Sequence, residues 1–319
     1  MNSISLIQGD SLTVLKTLPP NSVHCVVTSP PYWGLRNYGV DGQIGLEPSF
    51  YEFLGLLVKL FSEIKRVLHP SGTMFVNMGD SYNSDLTRGH FGSQYKKRSE
   101  PHGIKRHTVK KLHPKNLLGQ AWRLAFALQD DGWILRSDII WHKPNPMPES
   151  VKDRPTRAHE YLFLFAKSGS YFYDADAIRE PQKTFIAKAP GPKAQNIADK
   201  LEGGKAHSQG GFNARRQERG IEYNPLGKNR QSVWSIPTQA FEDAHFATYP
   251  IKLVEPCVKA GTSEKGCCPK CLAPWYKLKE KGELIGRGLG SEAGDKNTST
   301  SMKKWSNMIA CFADQAIAK

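Results

Sequence analysis

Residues 24–32, His-Cys-Val-Val-Thr-Ser-Pro-Pro-Tyr, carry the groups needed to grip an amine and little else. An apolar run stops at a polar residue, two prolines and an aromatic. Consecutive prolines fix φ and have no N–H, so the loop Ser29-Pro30-Pro31-Tyr32 presents carbonyl oxygens as its main polar groups. Ser29 adds a hydroxyl that can accept, and Tyr32 offers a ring against which a planar group can stack. The plainer reading of the same residues is a rigid turn that ends a strand.

The elements that must hold this loop follow from periodicity. Residues 23–28 read as a buried strand that delivers it. Residues 5–8 form a short strand closing on Gly9-Asp10, and 11–18 a helix. Between 51 and 68, Phe53, Leu54, Leu57, Val58, Leu60, Phe61 and Ile64 recur at helical spacing, with His69-Pro70-Ser71-Gly72 as the stop. A strand over 73–78 then ends in Gly79-Asp80-Ser81-Tyr82. A helix over 117–129, a strand over 134–141, and two strands over 159–166 and 170–173 follow. The turn Lys167-Ser168-Gly169 between the last two predicts an antiparallel hairpin at an edge of the sheet. The class is α/β, mostly parallel with an antiparallel hairpin.

Composition points to an anionic polymer as partner. The chain has 319 residues and a net charge of +14, and residues 86–117 hold nine Lys or Arg against Glu100 alone. Such clustering suits a phosphate backbone, or else it is a solvated loop. No signal-like N-terminus or membrane-length apolar run is present, and six cysteines do not suggest a disulfide scaffold. A cytoplasmic location is expected.

The order of several motifs carries a resemblance. Ser29-Pro30-Pro31-Tyr32, the strand ending at Asp80, Trp141-His142-Lys143-Pro144-Asn145-Pro146, Arg157-Ala158-His159-Glu160 and His245-Phe246-Ala247-Thr248-Tyr249-Pro250 appear in an order similar to the circularly permuted, β-type amino-group DNA methyltransferases. It covers residues 1–275. The resemblance implies a Rossmann-like S-adenosylmethionine-dependent fold, catalytic half first, and methyl transfer to an exocyclic base amine in double-stranded DNA. That amine is a poor nucleophile because its lone pair is delocalised into the ring. Ser29 and the Pro30 carbonyl would hold it, an extruded base would stack on Tyr32, and the methyl group would pass directly in line. Ser at the first motif position favours cytosine N4 as acceptor, with adenine N6 close behind. A methyltransferase acting on protein amides is the remaining reading, against which Ser29 and the basic segments count.

By the same resemblance, S-adenosylmethionine would meet Asp10, Asp80, His245, Phe246, Pro250 and Lys252, and DNA would meet Trp141, Lys143, Arg154 and Arg157. Plainer roles stand beside these: Asp10 as a helix cap, Asp80 as a turn residue, Trp141 as core. Residues 179–232 sit where the family keeps its target-recognition segment, so Arg215, Arg216 and Arg219 would touch DNA, unless the segment is a linker. Cys267, Cys268 and Cys271 look like half of a zinc knuckle.

The sequence departs from the family after its His-Phe-Ala-Thr-Tyr-Pro motif. The expected Asp-Pro-Phe and Gly-x-Gly-Thr cofactor loop does not follow; Gly286-Arg-Gly288-Leu-Gly290 lacks the apolar strand before it. This predicts a fold incomplete at its C-terminal side: a truncated or inactive DNA-binding remnant, one half of an enzyme completed by another chain, or a tail that substitutes. A cognate restriction nuclease is a further expected partner. The expected organisation is a catalytic part over 1–178 with a basic insertion near 84–116, a recognition or flexible segment over 179–232, a cofactor-side helix region over 233–262, and a cysteine knuckle with tail over 263–319.

Overall fold

One apolar stripe organises the core: Phe50, Phe53, Leu57, Leu60, Phe61, Ile64 and Val67 fall on one helix face and all are buried. The computed structural model describes residues 4–37, 39–83, 109, 111–181, 224, 226–239 and 249–277, with the backbone of 309–310. Its frame is helix α1 (Ser11–Thr17), strand β1 (Val23–Thr28), helix α2 (Phe50–Val67), strand β2 (Leu68–Met78), helix α3 (Gln120–Asp130), strands β3 (Ile134–His142), β4 (His159–Ala166) and β5 (Val233–Ser235), and helix α4 (Ile251–Gly261). Ser49 starts α2 by accepting a hydrogen bond from Glu52 N. Asp10 starts α1 in the same way, its carboxylate accepting from the backbone N–H and the hydroxyl of Thr13 at 2.9 and 2.8 Å.

The five strands form one α/β sheet in the order β1-β2-β4-β3-β5. β1 runs parallel to β2, and β3 parallel to β5; β4 is antiparallel to both of its neighbours. Two expectations change here. The antiparallel element lies inside the sheet, because β4 inserts between β2 and β3 and so buries Leu162, Phe163, Leu164, Phe165 and Ala166. Residues 171–174 are not a strand: Phe172 N instead donates to Ser71 O, which folds the segment over the turn before β2.

β1 was expected to be fully buried, yet all six of its residues are only partly so. It pairs on one side alone, as an edge strand of this sheet. Residues 5–8, expected as a short strand, carry no regular secondary structure and pair with no named strand, and Leu6 is 94% exposed. α4 covers β1 and β2 from one face, with Gly261 pressed so closely on them that a Cβ would stand 2.6 Å from Cys25 Sγ.

Contacts divide the chain into one unit of residues 1–177, 231–276 and 311–319, and a second of 178–230 and 277–310. In the second, Glu180 and Lys228 exchange backbone hydrogen bonds and form an ion pair. No helix among the described residues is long and apolar enough to cross a membrane.

Candidate active site

The sheet register decides what surrounds Ser29-Pro30-Pro31-Tyr32. The loop leaves the carboxyl end of β1, beside the carboxyl end of β2, where ligand sites of such sheets lie. Met78 pairs with Tyr161 across β2 and β4, which sets Gly79 beside Glu160, and Trp141 pairs with Glu160 across β3 and β4. Three separate strand ends therefore converge on Tyr32.

The contacts are close. Tyr32 Oη donates to Glu160 Oε2 at 2.9 Å, and Lys143 Nζ donates to Glu160 Oε1. The Lys143 ammonium also lies 4.4 Å from the Trp141 ring centroid. Gly79 is needed where it is: a Cβ there would stand 3.0 Å from Tyr32 Cε2 and 3.3 Å from Glu160 Cδ. Burial pushes the Tyr32 phenol well above its ordinary value and the Glu160 charge adds to this. The phenol stays neutral and keeps its proton to donate.

The rest of the loop is clamped from behind. Pro30 is buried, Trp33 is 3% exposed, and Trp33 Nε1 donates to Glu47 O. Gly45, at φ 106°, lets the returning chain pass the Tyr32 carbonyl, from which a Cβ would be 3.1 Å.

Asp80 ends β2 and caps α3: its Oδ1 accepts from Ser81 N and Gln120 N. Its carbonyl accepts from the Arg157 guanidinium. Arg154 and Arg157 both lie over the Tyr82 ring, 4.1 and 5.3 Å from its centroid, and Glu149 bonds both, through the Arg154 guanidinium and the Arg157 backbone N–H. The Arg154 hydrogen bond, followed by the Arg157 N–H, holds the Glu149 carboxyl below the usual range. Two expected DNA contacts thus sit at the same end of the sheet as Asp80.

Trp141 is corrected. It is 3% exposed and its Nε1 donates to Ile236 O, so it is core, packed there by the pairing of β3 with both β4 and β5. Lys143 is 20% exposed on its side chain and held by Glu160. Asp10 occupies the cap of α1. Pro250 opens α4 and Lys252 is exposed in its first turn. His245, Phe246, Arg215, Arg216 and Arg219 lie outside the described residues, as does most of the 86–117 basic cluster.

Cys267, Cys268 and Cys271 fall on a tight turn, bonded from Cys268 N to Ala273 O and from Leu272 N to Cys268 O. No group of three or more His, Cys, Asp or Glu side chains among the described residues is arranged to hold a metal ion. Glu160 and Gly79 were the residues that sequence reasoning passed over as site groups. Both nonetheless stand inside quoted motifs, Glu160 in Arg157-Ala158-His159-Glu160 and Gly79 in Gly79-Asp80-Ser81-Tyr82.

Comparison with known proteins accords with this geometry. A model of a DNA methylase family, covering N6 and N4 enzymes, matches residues 23–268. Type II methyltransferase M.Cfr9I of Citrobacter freundii is 47% identical over 262 residues, 82% of this chain and 74% of that protein. Type II methyltransferase M.SmaI of Serratia marcescens is 40% identical over 276 residues, 86% of this chain and 80% of that protein. Among solved structures, the PvuII DNA methyltransferase (cytosine-N4-specific) aligns over 80% of this chain and 69% of its own, with 18% identity and a TM-score of 0.43. The family match extends from β1 through α4 to the cysteine turn, and the chain belongs to the N6/N4 DNA methylase family.

Proposed function

We propose that this chain transfers a methyl group from S-adenosylmethionine to the N4 amine of cytosine in duplex DNA, as the modification enzyme of a restriction-modification pair. The observation that carries the reading is the Ser29-Pro30-Pro31-Tyr32 loop at the carboxyl end of β1, with a neutral Tyr32 fixed by Glu160 and Gly79. Ser29 and the Pro30 carbonyl accept the N–H bonds of an extruded base and let its nitrogen pyramidalise, while Tyr32 stacks on the ring. Arg154, Arg157 and Lys143 meet DNA at this end of the sheet, and Arg215, Arg216 and Arg219 are further proposed DNA contacts.

S-adenosylmethionine supplies an electrophilic methyl group on sulfonium. The residues proposed to hold it are Asp10, Asp80, His245, Phe246, Pro250 and Lys252. The start of α4 fits a carboxylate such as the methionine end of that molecule, since Pro250 makes no side-chain cap there; of its first-turn N–H groups, Leu253 N is already bonded to Pro250 O.

Two measurements test the reading. Calorimetry with S-adenosylmethionine should show saturable binding to the purified chain. Nucleoside mass spectrometry of DNA incubated with chain and cofactor should show N4-methylcytosine; N6-methyladenine instead would reassign the acceptor, and neither product would remove the activity from this chain.

A further inference from the structure

The loop that joins β3 to β4, residues 143–158, leaves the sheet at the same end as Ser29-Pro30-Pro31-Tyr32, because β1, β2 and β3 share one direction and β4 alone opposes them. It turns Met147 out into solvent, 86% exposed. A single exposed apolar residue means little by itself. The mounting of this one sets it apart. Pro146 and Pro148 flank it and Pro144 precedes them, so three φ angles are fixed, and Asn145 and Met147, each before a proline, are confined to extended backbone. Ties hold the stretch on both sides: Lys143 N donates to Ala158 O at 2.7 Å, Thr238 N donates to Asn145 Oδ1 at 3.0 Å, and Glu149 accepts from the Arg154 guanidinium and from Arg157 N. Met147 is thus presented at a fixed place. Lys143 is bonded to Glu160, and Glu160 to Tyr32. The four residues from Lys143 to Met147 span at most about 14 Å, which bounds how far Met147 stands from the groups that fix Tyr32.

We propose that Met147 is a wedge that enters the duplex and fills the space an extruded base leaves. Extrusion costs the stacking of the departing base on both neighbours, and an apolar side chain set between the vacated steps restores part of that contact. Methionine suits the task, being unbranched, polarisable and able to pack against aromatic rings. Its mounting matters as much, since a side chain on an already stiff loop loses little freedom beyond its own rotamers. The same loop carries Lys143, Arg154 and Arg157, whose charges suit the phosphates beside the vacated position. This rests on the reading that the chain extrudes a base from duplex DNA.

The test uses a duplex that the chain selects from a random pool, carrying a base that brightens on leaving the stack: pyrrolocytosine at each cytosine of the site in turn, or 2-aminopurine at each adenine. M147A removes the wedge and M147L keeps its bulk. Since the side chain stands in solvent, both variants should unfold at the wild-type denaturant midpoint. Binding of wild type should brighten one position, and M147A should shift the balance of extruded over stacked base there by roughly 10- to 100-fold towards the stack, the worth of part of one base step. M147L should stay close to wild type. The control is a duplex without the selected site, from which no base leaves the stack: M147A should lose affinity for the selected duplex and not for this one. Equal losses on both duplexes make Met147 a general groove contact and overturn the proposal, as does extrusion by M147A equal to that of wild type. If wild type selects no duplex, or brightens no position in the one it selects, base extrusion itself falls and takes the proposal with it. That failure lies in the proposed function and shows in the wild type, before any variant is made.

Discussion

At the scale of single residues, the site depends on what is missing at Gly79. Gly79→Ala would put a methyl group 3.0 Å from the Tyr32 ring and 3.3 Å from the Glu160 carboxyl carbon. Either side chain must give by a few tenths of an ångström, which strains the 2.9 Å bond between them. The expected outcome is a stability loss of about 1–3 kcal/mol by overpacking, with methyl transfer reduced by at least roughly 10-fold. Denaturant unfolding and single-turnover kinetics read the two effects separately. Full activity in a folded Gly79→Ala protein would show that Tyr32 need not stay where Glu160 holds it. The Ser29-Pro30-Pro31-Tyr32 loop was legible in the sequence because its chemistry is local: four adjacent residues fix the backbone and supply acceptors and ring. Glu160 was not, because it lies 128 residues from Tyr32 and only the pairing of β2 with β4 joins them.

At the scale of elements, the packing of α4 on the sheet is a joint with no room to spare. A Cβ at Gly261 would meet Cys25 Sγ at 2.6 Å and Thr73 Oγ1 at 2.7 Å. Gly261→Ala should therefore destabilise the chain by about 1–3 kcal/mol. Adding Cys25→Ala should recover only part of it, since Thr73 Oγ1 and the Cys25 Cβ at 3.2 Å remain; full recovery would place the whole clash on the sulfur. The loop over 149–157 behaves differently, being held by charge. Its Glu149 carboxyl is lowered in the folded protein, so its contribution is present above the ordinary carboxylate value of about 4.3 and is lost as pH falls through the folded value. Amide exchange at Arg157 N, which donates to Glu149, should be slow at pH 6 relative to its intrinsic rate and lose that protection as pH falls below the ordinary carboxylate range. The strand and helix positions of β1, α2 and β4 followed from apolar spacing alone. The strand expected over 170–173 failed because an aromatic, β-prone run was recruited by Ser71 O, a contact that no local pattern announces.

At the scale of the whole molecule, charge decides how the chain meets DNA. Ion pairs within the fold leave the net charge of +14 unchanged but tie individual cations: Lys115 pairs with Asp153, Arg154 with Glu149, Lys143 with Glu160. What the described residues hold is therefore a set of tied cations around the sheet end, suited to fixing geometry there. Beside Arg154, Arg157 and Lys143, the cations available for phosphate contacts are concentrated by sequence in 86–117 and 179–232, which fall mostly outside the described residues. Their role can still be measured, because each phosphate contact releases condensed counterions and adds about 0.9 to the negative slope of log affinity against log salt. Replacing Arg215, Arg216 and Arg219 together by Ala should weaken duplex binding and make that slope shallower by up to about 2.7, three contacts at about 0.9 each. Replacing Lys115, already bound to Asp153, should change the slope little. A triple variant with unchanged affinity and slope would remove 179–232 from the DNA interface and leave recognition to the basic residues before α3.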